Sequence, residues 1–366
     1  MKKRPLFVFA GQSNMMGAAV YPATDVFEHK NSFEYKQKPR FAGCQTGEFT
    51  RKSHPCGEFI YTNEAMPLAY SKKMMDAHGN SYLNKYSENT YFCPAMANLK
   101  SDAEKTTQPF DDFSESDFQH GASLAPLLVR EWERLGQSCA YTHIAKGGVS
   151  ISHFFSNEMA AQYENRIAEY NTEHNTTLSP NTRHTPLCNG AALAFDSKVC
   201  DFFADAKLKF PDEDTSLRAL IWCQGENDAL YGDEYQNYKY KLEVLWEHSK
   251  KLGFTHFFFV RIGFWEELDT REIMRAQEDF CAGRKDAHML TRAMSFMPYN
   301  GMDESKFYAL APEDEYRNCR DSYHGFDNLH INQKGFHSIA NHAIKSLKAV
   351  LLDNTEPTVE EEIVKF

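Results

Sequence analysis

The chain has 366 residues, 42% hydrophobic and 14% aromatic, enough apolar material for a sizeable core. Its formal net charge is −11 with no basic stripe, which argues against a nucleic-acid or anionic-membrane partner. Nine scattered cysteines without CxxC spacing match neither a disulfide framework nor a zinc site.

Lys2-Lys3-Arg4 reads as a solvated end, followed by an unbroken apolar run from Leu6 to Ala10. That run, rich in β-branched and aromatic residues, predicts a short buried central strand. A basic start before an apolar run imitates a signal peptide. The run has only about half the length of an h-region, and it leads straight into Gly11-Gln12-Ser13. The expectation is an uncleaved, cytoplasmic chain.

From about Gly17 to Gly121 the sequence is irregular and dense in Pro, Gly, Asn, Phe and Tyr. Within it only Met66 to His78 has helical periodicity, and Asp102 to Asp117 is acidic. So long an unpatterned tract predicts a functional insertion, at about 18–120.

The pattern sharpens at Leu124, Leu127, Leu128 and Trp132, an amphipathic helix closed near Gly136. Cys139 to Ala145 is a second strand, followed by Lys146-Gly147-Gly148-Val149-Ser150-Ile151-Ser152. Helices are predicted over Asn157 to Tyr170 and Gly190 to Lys209, with a polar loop through Pro180 and Asn181 between them. Ser216 to Cys223 is the third strand, running into Gln224-Gly225-Glu226-Asn227-Asp228. Tyr235 to Lys251 is a helix, Thr255 to Ile262 the fourth strand, Thr270 to Cys281 a helix and Ala287 to Phe296 the fifth strand. After a second irregular stretch, Met297 to Leu329, Gln333 to Leu352 forms the closing helix, and 354–366 is an acidic, frayed tail.

Strands alternating with helices imply right-handed crossovers and a parallel sheet covered on both faces. The expected organisation is one α/β domain over 1–353. No segment is long and apolar enough to span a membrane.

Four polar features follow candidate strands or the loop after the last: Ser13, Gly147-Gly148, Gln224 and Asp327-Asn-Leu-His330. A parallel sheet brings such turns to one edge. Their residue types suit acyl transfer. A serine hydroxyl needs an adjacent base, which His330 supplies while Asp327 orients the imidazole. The N–H groups of Ser13 and Gly148 and the side-chain amide of Gln224 would form an oxyanion hole. Glycine suits that position because no Cβ blocks a close approach.

Gly-Gln-Ser-Asn-Met at 11–15, Gly-Gly-Val-Ser-Ile at 147–151, Trp-Cys-Gln-Gly-Glu-Asn-Asp at 222–228 and Asp-Asn-Leu-His at 327–330 occur in this order. They resemble the signature blocks of the SGNH/GDSL hydrolase superfamily, in its carbohydrate-esterase branch of sialate O-acetylesterases and plant-type acetylesterases. The resemblance implies a flavodoxin-like three-layer α/β/α sandwich of about five parallel strands. It also implies Ser13 as nucleophile, His330 as base, Asp327 as its orienting carboxylate, and Gln12 and Asn14 as supporting residues. The substrate it implies is an acetylated carbohydrate. In the second block the branch often has Gly-Gly-Thr-x-Ile followed by Trp, where this chain has Ser152-His153-Phe154.

Other features read differently. A second pair, Asp321 and His324, lies six residues upstream, but Asp327 and His330 directly precede the closing helix, with Asn332 as its N-cap. Glu226 and Asp228 brace the Gln224 turn, although such a pair also suits a glycosidase. His143 reads as a satisfied core histidine and Phe257 to Phe259 as core strand. Cys56, Cys93 and Cys188 lie in loops and can be bridged, whereas Cys139, Cys200 and Cys223 read as small buried hydrophobes. No Walker loop, GxGxxG or paired metal-ligand spacing implies a cofactor. The leading expectation is a serine esterase acting on a carbohydrate O-acetyl group. A sugar O-acyltransferase with the same triad and a non-catalytic carbohydrate-binding protein are the alternatives.

Overall fold

The computed structural model describes residues 2–16, 31–37, 57–60, 124–145, 148–181, 189–263, 268–296, 330–331 and 333–359. Most of the 18–120 insertion, the Met66 to His78 helix, Asp102 to Asp117, the 297–329 stretch, and Cys56, Cys93 and Cys188 lie outside them.

Leu6–Gly11 (β1) is buried throughout and lies at the centre of a seven-stranded sheet. The other strands are Phe33–Gln37 (β2), Gly57–Ile60 (β3), Ala140–Ala145 (β4), Arg218–Cys223 (β5), His256–Val260 (β6) and Ala287–Thr291 (β7). Their spatial order is β3-β2-β4-β1-β5-β6-β7, with every pairing parallel except β2 with β3. All five strands expected from sequence are present. The fifth is shorter than expected, because 293–296 winds into a 3₁₀ turn.

Alternation along β1 builds the two cores. Leu6, Val8 and Ala10 face a cluster with Asn157–His174 (α3), Asn189–Lys209 (α4), Tyr235–Leu252 (α6) and Arg271–Cys281 (α7). Phe7 and Phe9 face Leu124–Arg134 (α2) and Gln333–Lys348 (α8). This is the three-layer, flavodoxin-like α/β/α architecture. A parallel sheet covered on both faces reads as continuous apolar runs rather than alternating ones. Each such side chain, fully buried, contributes roughly 1.5–3 kcal/mol. The remaining helices are Ser13–Met16 (α1) and Glu226–Leu230 (α5).

Several end-of-chain expectations change. Lys2 and Lys3 are exposed and pair with Glu213 and Asp214, but Arg4 is 4% exposed. Its guanidinium bonds Glu213 at 2.8 Å and lies 4.4 Å from the Phe210 ring centroid, so it is a buried cation with a partner, not a solvated end. The tail is not frayed over 354–359, since Thr355 N–H bonds the Ala349 carbonyl at 2.9 Å and the Thr358 carbonyl accepts from Ser346 at 2.9 Å. Cys139 and Cys223 are buried thiols, whereas Cys200 is exposed because it falls on the solvent side of its helix. Among the described residues no helix is long and apolar enough to cross a membrane.

At the end of β1 the backbone of the next strand comes very close. A Cβ on Gly11, whose φ is +152°, would stand 1.9 Å from the Cys223 carbonyl oxygen. Gly11→Ala is therefore expected to cost at least about 4 kcal/mol and to prevent accumulation of folded protein. Gly232→Ala, where φ is +76° and the Cβ meets open space, should cost only about 1–2 kcal/mol. Thermal melts of the two variants check this; similar melting temperatures would refute the contact.

Candidate active site

The register levels three strand ends. Gly11 pairs with Ala145 on one side and Cys223 on the other. The turns after β1, β4 and β5 therefore leave the sheet at one height. There an open parallel sheet forms its crevice. Gln12 and Ser13, Gly148, and Gln224 to Asp228 converge at this edge.

Gln12 fastens two of these turns. The short helix α5 has Gly225 at its N-cap, which offers no side chain to its first N–H groups. Glycine is required here, since φ is +150° and a Cβ would lie 2.7 Å from Ile273 Cγ2. The Gln12 carboxamide oxygen replaces the missing cap. It accepts from Gly225 N, Asn227 N and Gln224 Nε2, each at 3.2 Å.

Ser13 opens α1 and is 6% exposed. The turn is held from below by His143, whose Nε2 lies 2.6 Å from the Met15 carbonyl oxygen. Burial lowers the His143 pKa to about 4, outweighing the bond to Met15. The ring is neutral and Nε2–H donates. His143 is the satisfied core histidine expected from sequence. Among the described residues no hydrogen bond engages the Ser13 N–H, the Ser13 hydroxyl or the Gly148 N–H. Gly148 is exposed, with φ +67° and no atom within 4 Å of a built Cβ. Its carbonyl is held by Asn227 Nδ2 at 2.8 Å.

Just beyond, Ser150 N–H donates to His153 Nδ1 at 3.1 Å, and the Ser150 hydroxyl lies 3.0 Å from the same nitrogen. This closes the 3₁₀ turn Ile151–Phe154. His153 thus closes the turn that follows Gly148.

Gln224 departs from the oxyanion-donor expectation. Its residue is 0% exposed, and its amide donates to Gln12 Oε1, to the Val149 carbonyl at 3.2 Å and to Asp228 Oδ2. Tyr238 donates to the Gln224 backbone carbonyl at 2.8 Å, and Gln277 Nε2 does so at 2.8 Å. Two amide hydrogens with three acceptors inside the turn leave none directed outward. Among the described residues, the N–H groups of Ser13 and Gly148 are unengaged donors at this edge.

Glu226 and Asp228 face inward, 2% and 1% exposed. Asp228 Oδ2 accepts from Ile151 N at 2.9 Å as well as from Gln224. Glu226 Oε1 accepts from Asn14 Nδ2 at 2.8 Å, while Asn14 Oδ1 accepts from Ile331 N at 3.0 Å. Asn14 thereby ties the serine turn to the residue after His330. Burial pushes the Glu226 carboxyl up, the Asn14 bond pulls it down, and charge on His330 lowers it further, so His330 lies within electrostatic reach of Glu226. Asp327, Asp321, His324, Asn332 and Gly147 lie outside the described residues.

Sequence reasoning passed over Asn227, Asp233, Tyr238, Lys241 and Gln277. Their side-chain contacts join residues at least eight apart in the chain and carry no local signal, unlike the Gln224 to Asp228 link with its i, i+4 spacing. Among the described residues no group of three His, Cys, Asp or Glu could hold a metal ion.

No protein-family model matches the sequence, and no curated protein matches it. Solved structures similar to this chain include NanS, with 11% identity, a TM-score of 0.49, and coverage of 94% of this chain and 97% of that one. A protein from Arabidopsis thaliana has 11% identity, a TM-score of 0.43, and coverage of 93% and 96%. A carbohydrate acetylesterase from Xanthomonas citri has 12% identity, a TM-score of 0.36, and coverage of 78% of this chain and 49% of that one. Overlaps this loose say nothing of the chemistry at the sheet edge.

Replacing Gln224 by Ala takes the donor from the Val149 carbonyl and one donor each from the buried Asp228 carboxylate and the Gln12 carboxamide oxygen. We expect a loss of about 3 kcal/mol or more, seen as a melting temperature lower by several degrees. An unchanged melting temperature would mean that the amide is not committed to the turn.

Proposed function

We propose that the chain is a serine esterase that removes a short acyl group, most simply acetyl, from a carbohydrate hydroxyl. One observation carries the reading. Ser13, at the end of the central strand, has its N–H and hydroxyl unengaged among the described residues, and so has the N–H of Gly148, which follows the neighbouring strand at the same sheet edge. A hydroxyl flanked by fixed donors is what attack on an ester carbonyl requires.

His330 is the base. It takes the Ser13 proton as Oγ bonds to the carbonyl carbon, and the resulting oxyanion is held by the Ser13 and Gly148 N–H groups. Collapse of this intermediate expels the sugar oxygen, which leaves with the proton from His330, and an acyl-enzyme remains. Water, deprotonated by His330, then attacks the acyl carbon. Acetate leaves, and Ser13 regains its proton. Asp327 orients the imidazole. Gln12 and Asn14 hold the turn that carries Ser13; Glu226 and Asp228 hold its neighbour. The carbohydrate part of the reading is supported by the resemblance of the sequence blocks at 11–15, 147–151 and 222–228.

Ser13→Ala should abolish release of p-nitrophenol from p-nitrophenyl acetate while leaving the melting temperature unchanged. A screen of acetylated sugars for acetate release then identifies the substrate. Wild-type turnover by the purified alanine variant would refute the nucleophile assignment.

The base is tested separately. His330→Ala should lower kcat by several orders of magnitude, and His324→Ala should change it little. Equal losses, or a larger loss at His324, would move the base upstream.

A further inference from the structure

Beneath the Gly148 turn lies a buried group of charges that the acyl-transfer chemistry does not itself use. Lys241, on α6, is 2% exposed. Its Nζ lies 2.6 Å from Asp233 Oδ2 and 3.5 Å from Asp228 Oδ1. It also sits 5.5 Å from the centroid of the Tyr163 ring. Asn181 Nδ2 donates to the other oxygen of Asp233. The second oxygen of Asp228 points the opposite way and holds Ile151 N–H at 2.9 Å together with the Gln224 amide. The groups facing this cluster from the elements around it are Tyr163 on α3, Tyr238 on α6 and Glu226 on α5.

We infer that Lys241 is a positioning residue for the acyl-transfer site, holding the Asp228 carboxylate in place so that Asp228 fixes both the Gly148–Ile151 turn and Gln224. The inference rests on the esterase reading. An isolated carboxylate at this depth would be too costly to keep, and two beside each other more so. Burial first, and then the neighbouring Asp228, push the Asp233 carboxyl up to about 8, with Lys241 offsetting only part of the rise. With the ammonium present, Asp228 can face the turn as an acceptor. Without it, two buried carboxyl groups share the space with no counter-charge, and Asp228 is drawn away from the turn toward Asp233 or must move apart from it. Ile151 is three residues from Gly148, so a shift there carries to the Gly148 N–H. A displacement of about 1 Å in such a group costs on the order of 10² in rate.

Lys241→Met keeps the length of the side chain and removes the charge. The expected result with p-nitrophenyl acetate is kcat lower by roughly 10²-fold with KM within about twofold. Adding Asp233→Asn removes the second carboxylate, and this double variant should regain at least about tenfold in kcat over Lys241→Met. A loss of packing alone would give no such rescue. Wild-type kcat in folded Lys241→Met, or no recovery in the double variant, overturns the inference. If Lys241→Met does not fold, the double variant is compared with Asp233→Asn. A lower kcat at constant KM then supports the inference and equal kcat overturns it. Failure of both Lys241 variants to fold also overturns it, because the ammonium would then serve the fold alone. Ser13→Ala in the same assay separates the two claims: residual turnover there sinks the esterase reading itself, whereas its loss alongside a wild-type Lys241→Met sinks only the role of Lys241.

Discussion

One oxygen atom connects the parts of this site. Gln12 Oε1, at the end of the central strand, accepts from two backbone N–H groups of the α5 turn and from the Gln224 amide. A carbonyl oxygen has two lone pairs, so three donors at 3.2 Å share it, each weaker than a bond at the usual 2.9–3.0 Å. The arrangement is worthwhile because the alternative is two buried backbone N–H groups with no partner, each costing about 1–3 kcal/mol. It can form only because Gly11 lets the first and fifth strands of the sheet close to van der Waals limits just before Gln12. Backbone contact thus places the carboxamide, and the carboxamide places the neighbouring turn relative to Ser13.

Polar side chains do the rest of this work. Asn227 holds the Gly148 carbonyl, and Asp228 holds the Ile151 N–H, so two adjacent residues fix both ends of one turn. Asn14 reaches across 317 positions of chain to Ile331. An apolar packing of these segments would exclude water equally well but would leave their orientation free to slide. Hydrogen bonds with defined directions fix the turns to a fraction of an ångström, the tolerance that acyl transfer needs.

The central sheet was legible because most of its strands are short, predominantly apolar runs separated by helical patterns. Leu6 to Ala10 and Phe257 to Phe259 can be nothing but buried strand in a chain of this composition. Phe33–Gln37 escaped notice because Glu34 and Lys36 interrupt the apolar residues and the strand sits near the sheet edge, where one neighbour runs antiparallel. Arg4 and Lys241 were unreadable for a related reason. Their burial depends on Glu213, Asp228 and Asp233, partners brought by other elements, and a basic residue in a helix otherwise reads as solvated. Gln224 was found as a residue of the edge, but the direction of its amide was not. Sequence order cannot say whether a carboxamide turns toward solvent or toward a carboxylate four residues on.

That reversal changes how the oxyanion would be held. A side-chain donor has rotamers to lose and can be replaced by water; a backbone N–H fixed at both ends of its turn has neither freedom. With Gln224 committed inward, stabilisation of the developing charge in the proposed reaction would fall to the N–H groups of Ser13 and Gly148, on turns held by Gln12, Asn227 and Asp228. Preorganised donors need no reorientation as charge develops, which is the source of their advantage over water. The buried amide then contributes by rigidity: it joins β1, the Gly148 turn and α5 through a single side chain. The buried polar network and the unengaged donors of Ser13 and Gly148 are therefore two faces of one structure, the first fixing in space what the second would offer to a substrate in the proposed reaction.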